Sequence, residues 1–286
     1  MQVTPPSCHV RPEIVLLDNG SLRAGATLVL RSVAAQLSAR LGAVVHPVSL
    51  LHSEKISSDQ LAGIPAVCID SWMENRRMAR RAGPVVILPY FIGPSLALSD
   101  FLAKKCEVWL QADPTLRLTV APCLAEASPE APRALAAMLA DAVESTAKLK
   151  GWTDYGVVVV DHGTPVQAVN AVRNDVASLL ARHPAHRSRS VIAASMERRQ
   201  GEDYAFNEPL LETALRPPFC PAKQVIVAML FLSPGRHAGE AGDVATILRE
   251  AEASSHGGLI TAMTPLLGEH PALLDLLEAA YRSVQP

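Results

Sequence analysis

The stretch Val85-Val86-Ile87-Leu88-Pro89-Tyr90-Phe91-Ile92-Gly93-Pro94 lies without a gap on Val225-Ile226-Val227-Ala228-Met229-Leu230-Phe231-Leu232-Ser233-Pro234, 140 residues further along the chain. Each copy is a continuous apolar run with a proline at its exit, the pattern of a strand buried on both faces. Moving outward, Leu16-Leu17-Asp18-Asn19-Gly20-Ser21 falls on Val159-Val160-Asp161-His162-Gly163-Thr164 at a spacing of 143. At the same spacing Ala121-Pro122-Cys123-Leu124 falls on Thr264-Pro265-Leu266-Leu267. One short apolar match arises easily by chance; three in the same order at nearly constant spacing do not. A repeat of about 140 residues is the size of a domain, not of a solenoid unit, so the chain reads as one domain duplicated in tandem.

The strand candidates in the first half are Glu13 to Leu17, Val44 to Leu50, Val85 to Phe91 and Leu116 to Val120. In the second half they are Gly156 to Val160, Ser190 to Ala194, Val225 to Phe231 and Leu259 to Ala262. Helix-length segments separate them, among them Ala24 to Leu41, Arg133 to Leu149, Val166 to Ala181, Val244 to Ala253 and Ala272 to Tyr281. The expected class is α/β, two tandem domains each with a four-stranded parallel sheet flanked by helices. Residues 1–12, with three prolines and no apolar run, are expected to form a disordered tail. The domains are then 13–150 and 151–286, divided at the turn-forming Gly151-Trp152-Thr153-Asp154.

With 26 Lys+Arg against 28 Asp+Glu, a net charge of −2 and 49% hydrophobic residues, the chain is neither disordered nor a basic nucleic-acid binder. Its strongest apolar run, Val225 to Leu232, falls far short of the ~20 residues that span a bilayer. Neither nucleic acid nor membrane is an expected partner. The cysteines Cys8, Cys68, Cys106, Cys123 and Cys220 are scattered and never paired as C-x-x-C, which argues against a disulfide framework or a zinc ribbon. With no signal-peptide pattern at the start, the expected location is the cytoplasm.

His162 follows the first strand of the second half, and His237 follows the third strand and the loop Ser233-Pro234-Gly235-Arg236. Both therefore lie at the carboxyl edge of a parallel sheet, where open α/β folds bind ligands. Two imidazoles there could share one ion and leave coordination positions open. The aligned residues of the first half, Asn19 and Ala97, can replace neither, so any such site belongs to the second half. Glu240, at i+3 from His237, would face the same side if the segment were helical. Asp243 follows at +6, and Glu197-Arg198-Arg199 closes the second strand. A structural role is the ordinary fate of a single histidine, and helix-terminal compensation that of a nearby acid. The matched strand-end placement shifts the balance toward function.

Several sequence words resemble the CbiX-type sirohydrochlorin chelatases, class II chelatases that insert a divalent metal into a tetrapyrrole. They are Asp161-His162-Gly163-Thr164, Ser195-Met196-Glu197-Arg198-Arg199, Phe206-Asn207-Glu208-Pro209-Leu210-Leu211, Phe231-Leu232-Ser233-Pro234-Gly235-Arg236-His237 and Leu267-Gly268-Glu269-His270-Pro271. The family's Asp-Ile-Pro stands here as Asp243-Val244-Ala245, displaced by about two residues. The resemblance covers about Gly156 to Tyr281, and the first half joins it only through the repeat, as a degenerate copy without metal ligands.

The resemblance implies two chelatase domains facing across a cleft, with His162 and His237 as metal ligands and catalytic groups. The metal, Co2+ or Fe2+ with Ni2+ third, is substrate, and no organic cofactor is implied. Glu240 or Glu197 would relay the pyrrole protons, with Glu240 favoured by its spacing. Arg198, Arg199, Arg236 and also Lys223 would anchor the carboxylate-rimmed sirohydrochlorin through charge-assisted hydrogen bonds. Internal duplication would let a monomer work alone. The competing reading is a non-catalytic bilobal protein that binds a tetrapyrrole or carries metal. A histidine phosphatase is disfavoured by Asp161 where phosphate chemistry wants an arginine, and a dinucleotide enzyme by the lack of G-x-G-x-x-G.

Overall fold

The computed structural model describes residues 11–184, 188 and 190–285. Most of the expected tail, residues 1–10, lies outside them; Arg11, within the described part, donates to the Gly42 carbonyl at 3.2 Å.

In the first half β1 (Glu13–Asp18), β2 (Val45–Ser49), β3 (Val85–Pro89) and β4 (Leu118–Val120) form one parallel sheet in the order β2-β1-β3-β4. In the second half β5 (Gly156–Asp161), β6 (Val191–Ser195), β7 (Gln224–Met229) and β8 (Ile260–Met263) repeat it as β6-β5-β7-β8. The registers coincide: Asp18 pairs with Ser49 as Asp161 pairs with Ser195, and Leu17 with Pro89 as Val160 with Met229. The duplicated α/β architecture read from the repeat is the architecture of the protein.

The helices are α1 (Ala24–Leu41), α2 (Ile69–Met78), α3 (Ala103–Ala112), α4 (Ala131–Lys150), α5 (Gln167–Ala181), α6 (Leu211–Ala214), α7 (Asp243–Ser254) and α8 (Leu273–Ser283). α2, α3 and α6 add to the segments read from the sequence. The stripe of α2, Ile69, Trp72, Met73 and Arg76, ends in an arginine and so conceals its period. Arg76 can be buried there because Glu13 takes its Nε at 2.6 Å and the Gly83 carbonyl its Nη2 at 2.6 Å.

The packing does not follow the order of the chain. α4, the last helix of the first half, lies against β7 and α5; α8, the last helix of the second, lies against β3 and α1. Arg40 of α1 reaches Asp275 and Glu278 of α8. The inner residues Ile14, Leu16 and Leu88 of the first sheet and Val157, Val159, Ile226 and Ala228 of the second join one buried cluster with the apolar faces of α1, α4, α5 and α8. Smaller separate clusters lie on the outer faces, under α2 and α3 and under α6 and α7.

The exit loops of β1 and β5 are built alike. Gly20 and Gly163 have φ of +85° and +91°, and a Cβ there would stand 1.7 Å from the Leu51 carbonyl oxygen and 1.8 Å from that of Glu197. Only glycine permits that turn at that approach. The Gly20 N–H donates to Asp18 at 3.0 Å, but among the described residues no cation pairs with this buried carboxylate, and burial pushes its pKa up to about 6 despite hydrogen bonds from Ser49 and Gly20.

Two outcomes follow from this architecture. Because α4 covers the second sheet, a fragment 151–286 should lack the native packing of the intact chain and expose the inner faces of β5 and β7, seen as weakened near-UV dichroism and binding of an apolar dye. A fragment with full native dichroism and no dye binding would show each half to be self-sufficient. For Asp18, folding raises the pKa, so folding takes up a proton and the carboxylate's cost grows as pH rises from about 4 to 6. Asp18→Asn should be near neutral at pH 4 and stabilising above pH 6.5, by about 3 kcal/mol at most. Denaturant titrations at both pH values check this, and a gain independent of pH contradicts it.

Candidate functional site

The site stands at the carboxyl edge of the second sheet. His162 leaves β5 directly, and His237 sits in the loop between β7 and α7, their ring centroids 4.4 Å apart and their planes inclined at 60°. Each Nδ1 faces an oxygen that can only accept. For His162 it is the Gly163 carbonyl at 3.0 Å, and for His237 the Asp243 carboxylate at 2.7 Å. The Asp243 carboxylate favours the His237 tautomer that leaves Nε2 with a free lone pair, the atom that binds a metal or takes a proton, whereas His162 has an accepting oxygen at both ring nitrogens, its Nε2 lying 3.2 Å from Glu197. A carboxylate behind an imidazole also raises its donor strength. No set of three or more His, Cys, Asp or Glu is arranged around one point among the described residues. The pair is thus a two-nitrogen site with open positions.

The acids sort themselves differently from the helical-spacing argument. Residues 237–242 are turns and bends, and α7 begins only at Asp243, so the i+3 relation of Glu240 to His237 has no helix to act through. Glu240 instead lines a cavity of about 680 Å³ between α4, α7 and β8, shared with Lys150 and Arg249. Asp243, at the first turn of α7, takes the place beside His237. Glu197 Oε1 stands 3.2 Å from His162 Nε2 and is well exposed, with 59% of its side chain accessible.

The basic residues also separate. Arg236, exposed at the rim, lies 3.6 Å from Asp243. Arg199 is exposed, its guanidinium 5.8 Å from the Tyr204 ring centroid. Arg198 is engaged, with Nε on Glu208 at 2.7 Å and Nη1 on the Gly201 carbonyl at 2.9 Å. Lys223 precedes β7 and so lies at the amino edge of the sheet, opposite the histidines, which removes it from the candidate anchors.

Beneath His162 lies a buried polar network that the sequence reading did not assign. Asp161 Oδ1 accepts the Gly163 N–H at 3.1 Å and the Ser195 hydroxyl at 2.8 Å. Arg173, from α5 and fully buried, donates to Ser195 Oγ and to the Asn207 carbonyl, with Nη1 3.7 Å from Asp161. Asn207 grips Thr164 twice, accepting its N–H at 3.0 Å and donating to its carbonyl at 2.9 Å. Burial pushes the Asp161 pKa up and Arg173 opposes that. The signal in the sequence was Asn170 and Arg173 on the stripe that continues to Val176, Ala177 and Leu180, polar groups on the face a helix buries.

The first half touches the site through its own loops. A Cβ on Gly25, at the start of α1, would lie 3.1 Å from Pro234 in the loop leading to His237. One on Gly93, after β3, would lie 3.6 Å from Val169 of α5. The strand registers put Asn19 at the position of His162. Ala97 has the count position of His237 but begins a turn of π-helix, Ala97–Leu102, that runs into α3.

The model of the CbiX family matches residues 156–284. No curated protein sequence matches the chain significantly. Among solved structures, SirB from Bacillus subtilis with Fe3+ superposes with a TM-score of 0.66 at 12% identity, covering 96% of this chain and 95% of that one. The sirohydrochlorin chelatase SirB from Bacillus subtilis subspecies spizizenii in complex with cobalt gives 0.65 at 12%, with the same coverage. A multi-domain protein from Deinococcus radiodurans, similar to chelatases but with two additional domains, gives 0.59 at 15%, over 96% of this chain and 56% of that one. At these identities the structures speak to the fold, and the family match speaks to the half that carries both histidines. The chain therefore has the fold of these chelatase structures along nearly its whole length, and its residues 156–284, a little under half of it, match the CbiX family model.

Proposed function

We propose that the protein inserts a divalent metal, Co2+ or Fe2+ with Ni2+ third, into sirohydrochlorin, as cobalamin or siroheme synthesis requires. The observation that carries this is the His162–His237 pair, with ring centroids 4.4 Å apart at the sheet edge and Asp243 behind His237 Nδ1. The solved SirB structures hold Fe3+ and cobalt, which supports a metal substrate for the same fold. Two neutral nitrogens bind a first-row ion without the grip of a thiolate cluster, and the four described cysteines are free and outside the site. Such a site can take up the ion and release it to the macrocycle.

Insertion exchanges two pyrrole N–H protons for the ion. The imidazole Nε2 atoms serve first as ligands and, once the ion moves to the pyrrole nitrogens, as proton acceptors. Glu197, 3.2 Å from His162 Nε2 and open to water, is the group placed to carry a proton onward. Asp243 holds the His237 ring through Nδ1 at 2.7 Å. Of the candidate anchors, Arg199 and Arg236 are the exposed ones, Arg236 with only a 3.6 Å approach to Asp243, whereas Arg198 would first have to leave Glu208. The first half supplies the facing wall of the cleft, so one chain contains the whole site and a monomer suffices. Among the described residues no helix is long and apolar enough to cross a membrane.

His162→Ala and His237→Ala should each remove most of the metal-dependent change in the visible spectrum of sirohydrochlorin with little change in melting temperature. Near-normal turnover of His237→Ala would end the two-histidine mechanism. If the intact protein binds the metal or the tetrapyrrole but never yields the metallated product, the carrier reading replaces the enzyme. Glu197→Gln should lower kcat about tenfold or more, the low end of general acid–base contributions, with metal affinity changed far less. Asp243→Asn should act on metal affinity instead, weakening it roughly 10-fold or more. Glu240→Gln should do neither, and a kcat loss confined to Glu240→Gln would return the relay to that residue.

A further inference from the structure

The duplicated strand-exit loop is held twice, by different chemistry. In both halves a buried aspartate takes the N–H of the glycine two residues on and pairs in the same register with a serine of the neighbouring strand. In the first half the remaining partners are neutral. Ser53 Oγ donates to Ser49 Oγ at 2.8 Å and accepts the Ser21 N–H at 3.2 Å. In the second half Asn207 takes over the grip on the loop backbone, and a guanidinium, that of Arg173, stands on the serine. At the spacing of 143 the counterpart of Arg173 is Leu30, which is as fully buried. An apolar side chain thus fills the same place in the same fold, while a cation buried to 1% exposure needs every one of its partners to offset its desolvation.

The two histidines are aimed by different means. His237 Nδ1 is held by the side chain of Asp243, whereas His162 Nδ1 rests on the carbonyl of Gly163, its own neighbour, so that, beside the exposed Glu197 at Nε2, the ring's direction depends on the backbone of residues 162–164. Apart from the contact of the His162 ring itself, every hydrogen bond described above between that backbone and a side chain leads to Asp161 or Asn207, both of which meet Arg173. We propose that Arg173 is a positioning residue of the metal site, fixing the His162–Thr164 backbone through Ser195, Asp161 and Asn207 and so aiming His162 Nε2. The proposal rests on the chelatase reading for its purpose but not for its geometry. It explains why the guanidinium stands in the half that carries the histidines and a leucine in the half that lacks them.

The test uses the full chain with Arg173→Leu, which installs what the first half carries, Ser195→Ala, which removes the linking hydroxyl, and Arg173→Lys, which retains a cation. Two-dimensional spectra of the ring nitrogens, recorded without metal, report the two histidines separately, and cobalt titration followed by visible absorption reports the site. In Arg173→Leu and Ser195→Ala the His162 ring signals should move or broaden while those of His237 keep their place. Cobalt affinity should fall tenfold or more, with part of the loss recovered in Arg173→Lys. A folded Arg173→Leu or Ser195→Ala with unchanged His162 signals, or with both rings displaced alike, overturns the proposal; should Arg173→Leu not fold, Ser195→Ala decides alone. If the parent protein does not bind cobalt, the chelatase reading fails, while the metal-free spectra still decide whether Arg173 positions His162.

Discussion

Each sheet must cover an apolar inner face, and in this protein the cover on each is completed by a helix from the other half. α4 ends the first half of the chain and lies on β7, while α8 ends the second and lies on β3. With α1 and α5 they join the inner residues of both sheets in a single buried cluster. Truncating one of its fully buried leucines, such as Leu139, would cost about 2–5 kcal/mol, and the loss would fall on contacts shared by both halves. The mutual orientation of the sheets is therefore a matter of core packing rather than of a flexible linker, and the carboxyl edges that carry the loops are held close by the same packing. The contacts of Gly25 with Pro234 and of Gly93 with Val169 lie at those edges.

On that frame the two copies have diverged in a physically orderly way. The elements that shape the loop, a strand-end aspartate, a glycine at positive φ and a serine on the next strand, are present in both halves. The histidine pair and the buried guanidinium stand in one. Asn19 and Ala97 occupy the counterpart positions of the histidines, and Leu30 that of Arg173. Without a cation nearby Asp18 is pushed toward neutrality, whereas Asp161 has Arg173 beside it. A half without the two histidines can keep the same fold because apolar burial, which dominates its stability, is indifferent to the identity of two loop residues.

In the proposed reading the strength of the site suits transient rather than permanent binding. Two imidazole nitrogens with unfilled positions around them hold a divalent ion less firmly than the closed four-ligand sets of structural metal sites. Asp243 behind His237 adds donor strength without adding a ligand. In the proposed reading the vacant positions are where the macrocycle nitrogens enter, and the exposed Glu197 and Arg236 face the side from which a large anionic ring must approach.

Much of this was legible in one dimension. Parallel strands buried on both faces are runs of apolar residues, so the matched pair Val85 to Pro94 and Val225 to Pro234 disclosed the duplication, and with it the α/β class, the strand positions and the sheet edge where His162 and His237 stand. Local chemistry also marked Gly163 and Gly20, since a reversal at a strand end demands a residue without a Cβ. Relations across the fold were not legible, because they depend on which distant segments share a volume. The exchange of α4 and α8 between sheets leaves no trace in periodicity, as either sheet would bury the same helical face. The partner of His237 proved to be Asp243 rather than Glu240 because the chain from 237 to 242 turns instead of coiling, which moves the residue at +6 to the ring and the residue at +3 away from it. Lys223 fell to the far edge for the same kind of reason: the strand it precedes points its other end at the site. Sequence determined which residues are buried and where strands end, since those follow from hydrophobic burial and backbone sterics; only the tertiary structure decided which charges meet, since that requires the coordinates of groups tens of residues apart.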